Sequence, residues 1–329
     1  MPKIVVPIPK SACEREILPD VRKRIEALGE TFWNTEDRKL EGKEKSRFMR
    51  GANALVTGWG DGGLTPENID AAPDLQIIAL VGSSVKHISP YHALAKGVTI
   101  VNTATAIGDS VAEFALTTAL VLLKDITPLN AHLHQGKWLR AEPGRDLTGR
   151  TVGVIGAGAV GRKFIELLQP FRVILLIYDP YLPDAIAAKL GGTKVDLDRL
   201  MRESEVLSIH AGSTNETTHM IGKRQLALLR DDAVIVNTAR GAIFDEAALI
   251  EKLKEGKVKA ALDVFEKEPP PPGSPLFGLP NVVLTPHKAG HTEDTYHRIG
   301  LSIARDLELF FDGKEPVNKL TKEMIDRAT

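Results

Sequence analysis

The sequence predicts an α/β protein made of two doubly wound parallel-sheet domains. Strand-like apolar segments alternate with helix-like segments through the first hundred residues, and the alternation resumes after residue 179. Such alternation is typical of parallel sheets with helices on both faces. The chain of 329 residues is also too long for one ordinary core, which favours two domains.

The first domain is expected to hold four strands with helices between them. Its expected strands are residues 3–8, 54–57, 77–81 and 98–102, and its expected helices are residues 14–28, 66–72 and 92–96. An apolar segment follows at 111–123. Because it contains Glu113 and Thr117 and is shorter than a membrane span, we expect a buried helix.

The second domain is expected to hold about six parallel strands. Its expected strands are residues 151–155, 173–178, 205–210, 233–238, 258–265 and 282–284, and its expected helices are residues 162–168, 223–229 and 246–254. The tail at 292–311 has apolar side chains at helical spacing. Because this tail has no strand of its own to cover, we expect it to return to the first domain.

A dinucleotide-binding fingerprint opens the second domain. After the strand-like segment at 151–155 come Gly156, Gly158 and Gly161, and then a helix. The first glycine permits a tight turn, the second lets the backbone approach a pyrophosphate, and the third lets helix and strand pack closely. The pyrophosphate would lie against the free N–H groups at the start of the helix.

Asp179 ends the second strand of this fingerprint. A carboxylate at this point accepts hydrogen bonds from both ribose hydroxyls and repels a 2′-phosphate, so NAD is favoured over NADP. Two alternatives stay open. Asp179 could be a turn residue before Pro180, and a methyltransferase that binds S-adenosylmethionine could show similar glycines.

Three polar residues follow predicted strands of the second domain, at the sheet edge where open parallel sheets bind ligands. Arg240 follows the strand at 233–238, Glu268 follows 258–265, and His287 follows 282–284. Each has a structural alternative: Arg240 as a strand cap, Glu268 as a residue that solvates a proline-rich loop, and His287 as a surface histidine. Together they supply one reaction, the transfer of a hydride to a ketone.

Each of these side chains has a definite use in carbonyl reduction by NADH. His287 would donate the proton, because histidine titrates near neutral pH, and Glu268 would stabilise the imidazolium. The Arg240 fork would hold a substrate carboxylate and polarise the carbonyl. Asp263 would accept a hydrogen bond from the nicotinamide amide.

Taken together, these motifs resemble the D-isomer-specific 2-hydroxyacid dehydrogenases over almost the whole chain. The resemblance is carried by Gly156-Ala-Gly158-Ala-Val-Gly161, Asp179, Asn237-Thr-Ala-Arg240-Gly241, Asp263-Val-Phe-Glu-Lys-Glu268-Pro269 and Thr285-Pro-His287-Lys-Ala-Gly290. It implies a Rossmann NAD-binding domain at 103–291. This domain would be inserted in a smaller flavodoxin-like substrate domain formed by 1–102 plus 292–329.

The resemblance also implies roles for individual residues. Arg240 would bind and polarise a 2-oxo acid, and His287, supported by Glu268, would be the acid and base. The implied cofactor-binding residues are Gly156, Gly158, Ala159, Val160, Gly161, Asp179, Thr238, Ala239, Arg240, Asp263, His287 and Gly290. The implied assembly is a homodimer built around the nucleotide domain.

The sequence departs from the family pattern on the substrate side. The family loop reads Gly-x-Gly-hydrophobic-Asp, whereas this chain has Gly82-Ser-Ser-Val-Lys86. Backbone N–H groups of Val81, Gly82 and Ser83 are still expected to hold the substrate carboxylate. We hypothesise that Lys86 favours substrates with a further anionic group; the alternative is that it pairs with a nearby acid.

Two further positions are open to more than one interpretation. The proline that the family places after the strand-end histidine is absent in His210-Ala-Gly-Ser-Thr214, which would loosen the nicotinamide side of the site. Trp59 follows a strand of the first domain, where it could line the substrate pocket or pack beside its neighbouring glycines.

Composition excludes several function classes. The chain is 43% hydrophobic and 26% charged, as in ordinary globular proteins, and its net charge of −1 gives no field that attracts nucleic acid or anionic membranes. Cys13 is the only cysteine, so neither an intramolecular disulfide nor a cysteine metal cluster is expected. No metal site and no signal peptide are predicted, and we expect a cytoplasmic protein.

Rivals to a 2-oxo acid reductase stay open. A formate or phosphite dehydrogenase could use the same scaffold, and some relatives are NAD-sensing corepressors that bind partner peptides. Because the chain ends at Thr329, a long, allosteric 3-phosphoglycerate dehydrogenase is not expected, whereas the short type stays open.

Overall fold

The computed structural model describes residues 1–138 and 143–328. Its internal contacts divide the chain into two compact units. Unit 1 comprises Met1–Ile107 and His291–Thr329, and unit 2 comprises Gly108–Gly290. The expected domain bounds of 1–102 plus 292–329 and of 103–291 stay predictions.

Residues 1–138 and 143–328 form alternating strands and helices. The strands are β1 (Lys3–Val6), β2 (Glu30–Trp33), β3 (Ala54–Thr57), β4 (Ile77–Leu80), β5 (Thr99–Asn102), β6 (Thr151–Ile155), β7 (Ile174–Tyr178), β8 (Gly192–Lys194), β9 (Val206–Ile209), β10 (Val234–Asn237), β11 (Lys259–Leu262) and β12 (Val282–Leu284). The helices are α1 (Lys10–Glu16), α2 (Pro19–Leu28), α3 (Gly42–Met49), α4 (Pro66–Asp70), α5 (Pro90–Ala95), α6 (Ala104–Leu123), α7 (Ile126–His134), α8 (Ala159–Leu168), α9 (Asp184–Lys189), α10 (Leu197–Glu203), α11 (Lys223–Leu226), α12 (Glu246–Lys254), α13 (Glu293–Phe311) and α14 (Lys322–Ala328).

Unit 1 is built on a five-stranded parallel sheet in the order β2-β1-β3-β4-β5. Strands β3 and β4 are buried along their whole length and pair with Ala54 opposite Ile77. Continuous apolar strands are typical of a sheet that is covered on both faces. The sequence analysis missed β2, because this edge strand alternates between exposed and half-buried side chains and gives only a weak apolar signal.

The segment expected as one helix at 14–28 forms two helices, α1 and α2. Pro19 is the first residue of α2, a position that suits proline, and it cannot continue the hydrogen bonds of α1. Helix α1 buries Cys13 and Glu16. The tail helix α13 packs on α2 and β4, and Gly300 brings it close to Val21.

Unit 2 is built on a seven-stranded parallel sheet in the order β12-β11-β10-β9-β6-β7-β8. This is the Rossmann order, in which the chain runs outward from the central strands β6 and β9 to both edges. The short edge strand β8 carries no buried side chain and was not expected. The two sheets confirm the predicted fold class of two doubly wound parallel α/β domains.

Helix α6 is long and apolar enough to span a membrane by length and composition, but more than half of it is buried. Its buried side chains Ala112, Ala115 and Ala119 belong to the core of unit 2, together with strands β6 and β7. Core helices of globular proteins pass the same length and composition test, so α6 is weak support for a membrane span.

Candidate active site

The order of the unit 2 sheet reverses between the neighbouring strands β6 and β9. Open parallel sheets bind ligands outside the carboxyl ends of their strands at such a switch point. The glycine-rich turn follows β6, and His210 follows β9. Both therefore lie at the edge of the sheet where a ligand is expected.

The three fingerprint glycines are required by different contacts. Gly156 has a φ of +88°, and a Cβ on it would lie 2.7 Å from the backbone nitrogen of Ala211. A Cβ on Gly161, in the first turn of α8, would lie 2.0 Å from the carbonyl oxygen of Gly156. At Gly158, by contrast, no atom of the described residues lies within 4 Å of a Cβ. Two glycines hold the turn together, and the third leaves open space above it.

Ala159 and Val160 begin helix α8 at this turn. Among the described residues no side chain caps the helix, and its first turn contains no acidic residue. The first N–H groups of a helix have no partner within the helix, and they attract anions. The helix start and the open space at Gly158 together suit a pyrophosphate.

Asp179 lies directly after β7 and supports the glycine turn. Its Oδ2 accepts a hydrogen bond from the N–H of Ala157 at 2.9 Å, and its Oδ1 accepts one from the N–H of Tyr181 at 2.9 Å. A carboxylate offers about four lone pairs, so two acceptor sites remain. The carboxylate is thus held in a fixed orientation beside the turn while it retains capacity for a ribose.

The turn after β10 presents Thr238, Ala239 and Arg240, and Asn237 holds it in place. The Nδ2 of Asn237 donates to the carbonyl of Arg240 at 3.0 Å, and its Oδ1 accepts from the N–H of Ala239 at 3.1 Å. The sequence analysis quoted Asn237 in a motif but gave it no role. The sequence feature that could have indicated this role is the position of Asn237 between a buried strand and the candidate Arg240.

Thr238 has a buried hydroxyl that makes no hydrogen bond with any residue in 1–138 or 143–328. A buried polar group without a partner costs about 1–3 kcal/mol. A bound polar ligand would offset that cost. This hydroxyl is therefore the third feature of unit 2 that fits a cofactor, after the start of α8 and the carboxylate of Asp179.

Arg240 is half-buried, and its Nη1 donates to the carbonyl of Ala239 at 2.6 Å. Burial lowers the pKa of Arg240 from its usual value, and the negative charge of Glu268 opposes that shift. A Cβ on the next residue, Gly241, would lie 1.9 Å from the carbonyl carbon of Phe265. The Arg240 turn therefore packs directly against the loop that carries Glu268.

Glu268 and His287 form a hydrogen-bonded pair. The Nδ1 of His287 lies 2.6 Å from Oε2 of Glu268, and the other oxygen of Glu268 accepts from the N–H of Phe265 at 3.1 Å. No group in the described part of the chain bonds to Nε2 of His287. The imidazole is therefore oriented through one nitrogen, and the other is available for a substrate.

Asp263 is buried and bonds to three groups of the loop that carries His287. It is 1% exposed, and its carboxylate accepts hydrogen bonds from the N–H of Lys288 at 2.7 Å, the N–H of Ala289 at 2.9 Å and the hydroxyl of Thr285 at 2.6 Å. These donors belong to the loop that presents His287. In this structure Asp263 holds the loop that carries His287, and its contact with a nicotinamide amide stays a prediction.

His210 lies beside the glycine turn, since a Cβ on Gly161 would be 3.4 Å from the Cβ of His210. Its Nε2 lies 2.9 Å from the hydroxyl of Ser208, its ring packs on Phe164, and its Nδ1 has no partner in the described residues. Burial lowers the pKa of His210 to about 3, so the ring is neutral at physiological pH. The glycine turn therefore packs against an uncharged imidazole.

The expected carboxylate-binding amides of unit 1 require a correction. The N–H of Val81 donates to the carbonyl of Thr57 at 2.8 Å, and the N–H of Gly82 donates to the hydroxyl of Thr103 at 2.8 Å. Each amide has one proton, so neither also holds a substrate carboxylate in this arrangement. Of the three predicted residues, only Ser83 keeps that prediction.

The two substrate-side residues left open by the sequence also lie in unit 1. Lys86 is exposed at the start of a short 3₁₀ turn, and it makes an interaction within the structure. Trp59 is half-buried and stacks on His291, with ring centroids 5.1 Å apart. A Cβ on Gly82 would lie 3.1 Å from Nε1 of Trp59.

Unit 2 by itself brings together most of the predicted residues. One edge of the unit 2 sheet carries the fingerprint glycines, Asp179, Thr238 to Arg240, Glu268 and His287. Gly290 is the last residue of the unit. An anion site at a helix start, a carboxylate at the end of the next strand and an unpartnered hydroxyl are groups that NAD(H) would use. The residues of unit 2 therefore fit the cofactor.

Comparison with known proteins agrees with this geometry. Residues 116–289 match the model of the D-isomer specific 2-hydroxyacid dehydrogenase NAD binding domain. The chain is 37% identical over 298 residues to D-3-phosphoglycerate dehydrogenase of Methanocaldococcus jannaschii, covering 90% of this chain and 56% of that protein. This chain thus spans about half the length of the phosphoglycerate dehydrogenases it matches.

Two further relatives match over most of their length. Glyoxylate reductase of Korarchaeum cryptofilum is 35% identical over 265 residues, covering 79% of this chain and 80% of that protein. The crystal structure of an NADPH-dependent glyoxylate/hydroxypyruvate reductase from Sinorhizobium meliloti is 27% identical, with a TM-score of 0.80 over 99% of this chain and 100% of that one. The chain belongs to the D-isomer-specific 2-hydroxyacid dehydrogenase family.

Proposed function

We propose that this protein catalyses reversible hydride transfer between NAD(H) and a 2-oxo acid/D-2-hydroxy acid pair. The observation that carries the proposal is the 2.6 Å contact between His287 Nδ1 and Glu268 Oε2. It leaves Nε2 of His287 without a partner in the described residues, in a unit whose glycine turn fits a dinucleotide. Membership of the family supports the same reaction class.

His287 moves the proton. When bound, the nicotinamide cofactor supplies a hydride to the carbonyl carbon or accepts it back. During reduction, Nε2 of His287 gives its proton to the carbonyl oxygen, and during oxidation it takes the hydroxyl proton. Glu268 accepts the hydrogen bond from Nδ1, which fixes the ring orientation and balances the positive charge of the imidazolium.

Arg240 binds and polarises the substrate. Its planar fork suits a carboxylate and the adjacent carbonyl oxygen, on which negative charge develops as the hydride arrives. Because Gly241 packs against the backbone of Phe265, the turn that carries Arg240 and the loop that carries Glu268 support each other. This shared packing would keep the side chains of Arg240 and His287 at a constant separation and orientation during the reaction.

We infer a preference for NADH over NADPH. Asp179 is ordered by two backbone N–H groups at the position where a ribose would bind, and its negative charge would repel a 2′-phosphate. The Sinorhizobium relative is NADPH-dependent, so family membership alone leaves the preference open.

We also propose a cytoplasmic homodimer. Helix α7 of unit 2 exposes Ile126, Leu129 and Leu133, with Trp138 just beyond it. An apolar row of this kind is typical of a protein–protein contact. Sedimentation analysis of the wild type and of Leu133→Glu tests the assembly: the proposal requires a dimer that the substitution weakens.

A substrate panel tests the reaction. The oxidation of NADH is followed with glyoxylate, hydroxypyruvate, pyruvate, phosphohydroxypyruvate, 2-oxoglutarate and aromatic 2-oxo acids, with NADPH in parallel. Phosphohydroxypyruvate is included because of the similarity to phosphoglycerate dehydrogenase. We expect turnover with at least one of them, and a loss of about 10²–10⁴-fold in kcat for His287→Ala, the scale for a positioned acid.

His297→Ala is the matched control. His297 also contacts a carboxylate, Oδ2 of Asp20 at 2.9 Å, but it lies on the exposed face of α13. Its variant should keep wild-type turnover. A near-wild-type rate for His287→Ala would refute the role of His287 as the acid and base. Tight NADH binding without turnover of any 2-oxo acid would favour a formate or phosphite dehydrogenase, or an NAD-sensing protein.

A further inference from the structure

Unit 2 contains a second pair of a histidine and a glutamate, close in sequence to Glu268. The Nε2 of His219 lies 2.7 Å from Oε1 of Glu266, and both residues are exposed. Glu266 is two residues before Glu268 on the loop that follows β11. An exposed ion pair of this kind contributes little to stability. The positions of its two partners are therefore more informative than its strength.

The backbone of His219 is bonded to the turn that follows Arg240. Its N–H donates to the carbonyl of Ala242 at 2.7 Å. Two residues further on, Ile221 forms a parallel bridge with Phe244. These contacts attach the segment that carries His219 to the turn that carries Arg240.

The backbone of Glu266 belongs to the short segment that holds Glu268. The N–H of Glu266 donates to Oε2 of Glu246, at the start of α12, at 2.9 Å. The N–H of the preceding residue, Phe265, donates to Oε1 of Glu268 at 3.1 Å. The other oxygen of Glu268 contacts His287. A shift of this segment would therefore change how Glu268 meets His287.

His219 adopts a backbone conformation that suits few side chains. Its φ is +53°, in the left-handed region. Glycine adopts this conformation without a steric cost. Strained residues of this kind cluster at functional sites. The imidazole thus lies at a position where glycine would give the less strained backbone, which indicates that the side chain has a use.

We propose that His219 is a positioning residue for hydride transfer, which couples the turn that carries Arg240 to the loop that carries Glu268. The inference rests on the proposed function, in which Arg240 holds the substrate and Glu268 orients His287. The backbone of His219 is attached to the first segment, and its imidazole holds the second through Glu266. A misplacement of about 1 Å can lower a rate about 10²-fold, so a contact that adds little stability can still matter for catalysis.

His219→Gly tests the proposal, because glycine suits the left-handed backbone and removes the imidazole. We expect the single-turnover rate of NADH oxidation by a 2-oxo acid to fall about 5- to 20-fold. The KM of the 2-oxo acid should stay within about twofold, since an alignment that acts in the transition state affects kcat. The free energy of unfolding should not fall, because the backbone strain is relieved.

Two further variants examine the contact itself. The amide of glutamine can still donate to Glu266, so His219→Gln should recover most of the wild-type rate although it keeps the strained φ. Glu266→Ala removes the acceptor and should lower the rate as much as His219→Gly does. Because both substitutions break one contact, the double variant should be no slower than either single variant.

Arg172→Gly is the matched control. Arg172 is an exposed residue of unit 2 with a φ of +51°, and it precedes β7 at the amino ends of the strands. Its variant relieves the same kind of backbone strain far from the sheet edge that carries Arg240 and Glu268. The single-turnover rate and the KM should therefore stay at their wild-type values.

The outcomes separate this inference from the proposed function. If the wild type turns over no 2-oxo acid, the proposed function fails and this inference fails with it. If the wild type is active and His219→Gly is folded with the wild-type rate, the inference alone is overturned. A His219→Gln variant that is slower than His219→Gly would also overturn it, because the backbone would then be the cause. Effects of the two single variants that add in the double variant would do the same.

Discussion

The carboxylate of Asp179 has one structural contact in the glycine turn and one expected contact with the cofactor. It braces the glycine turn through the N–H of Ala157, and it is the group expected to meet the ribose of the cofactor. The contact with Tyr181 fixes its second oxygen. A ligand-binding side chain that is already held by the backbone loses little conformational entropy when the ligand arrives.

Removing this carboxylate should change both affinity and selectivity. For Asp179→Ala we expect the Kd of NADH to rise about 10- to 100-fold, because charge-assisted hydrogen bonds to the ribose are lost. Discrimination against NADPH should fall, since the repulsive charge is gone. Fluorescence titrations with both nucleotides measure the two effects.

Asp184→Ala is the control for that titration, because Asp184 is a largely exposed residue of α9. It should bind both nucleotides as the wild type does. An Asp179→Ala variant that still excludes NADPH would show that another group rejects the 2′-phosphate.

At this scale the sequence predicts candidate side chains but not the groups that they contact. Arg240, Glu268 and His287 could be proposed because residue type and position after a strand both pointed to them. The partners of Asp263, Val81 and Gly82 could not be foreseen. Their hydrogen bonds depend on which loops meet in space, which no local pattern specifies.

Among the elements, the turn between β6 and α8 determines how closely the helix approaches the sheet. Gly161 lies against the carbonyl of Gly156, whereas Gly158 has open space beside it. The same residue type therefore serves packing at one position and ligand access at the other.

Paired alanine substitutions should separate these two roles. Gly161→Ala places a methyl group 2.0 Å from a carbonyl oxygen, so we expect a loss of about 1–3 kcal/mol in the free energy of unfolding, as for other overpacked sites. Gly158→Ala should change stability by less than about 0.5 kcal/mol. It should nevertheless weaken NADH binding, because its methyl group would occupy the space left for the pyrophosphate.

Urea unfolding and NADH titration of both variants measure the difference. Each variant serves as the control for the other. If Gly158→Ala bound NADH with wild-type affinity, the pyrophosphate would have to lie elsewhere.

The sequence analysis missed β2, β8, α3, α7, α9, α10 and α14, and three of these elements, β2, β8 and α7, share a physical feature. Strands β2 and β8 are short edge strands without a buried run, and helix α7 has no buried residue in its described range. Periodicity detects an element through the contrast between buried and exposed positions, and these three have little contrast. By contrast, α12 and β12 have the predicted bounds.

For the whole molecule, alternation of apolar segments was sufficient to predict two parallel sheets.

Because the net charge is only −1, repulsion between like charges has little effect on the stability of the fold. The pH dependence of stability is then set by individual ionisable groups. Among these groups, Glu16 is the clearest example, because its side chain is 0% exposed. Its Oε1 accepts a hydrogen bond from Arg15 at 2.8 Å, and its Oε2 has no partner in the described residues. Burial raises the pKa of Glu16 to about 7, although Arg15 opposes the shift.

The stability of the protein should therefore fall as pH rises through this range. An unfolded carboxyl has the ordinary pKa of 4.5, so between pH 4.5 and about 7 the folded chain binds more protons than the unfolded chain. The free energy of unfolding then decreases with pH by up to about 3 kcal/mol, and the contribution is lost above pH 7. Glu16→Gln should remove this slope and be the more stable protein at pH 8.

Urea unfolding at pH 5 and pH 8 measures the effect, with Glu14→Gln as the control. Glu14 is an exposed neighbour on the same helix. Its variant should keep the wild-type slope. A Glu16→Gln variant with that same slope would mean that Glu16 is ionised in the folded chain.

Helix α1 also contains Cys13, the only thiol among 329 residues. Burial raises the pKa of Cys13 to about 12, and only the thiolate reacts with alkylating dyes. The native protein should therefore resist maleimide labelling until α1 opens. The rate of labelling against urea would report the opening of unit 1 alone, and rapid labelling in native buffer would show that this helix opens without denaturant. A single residue thus provides an intrinsic reporter that distinguishes local opening from the unfolding of unit 2.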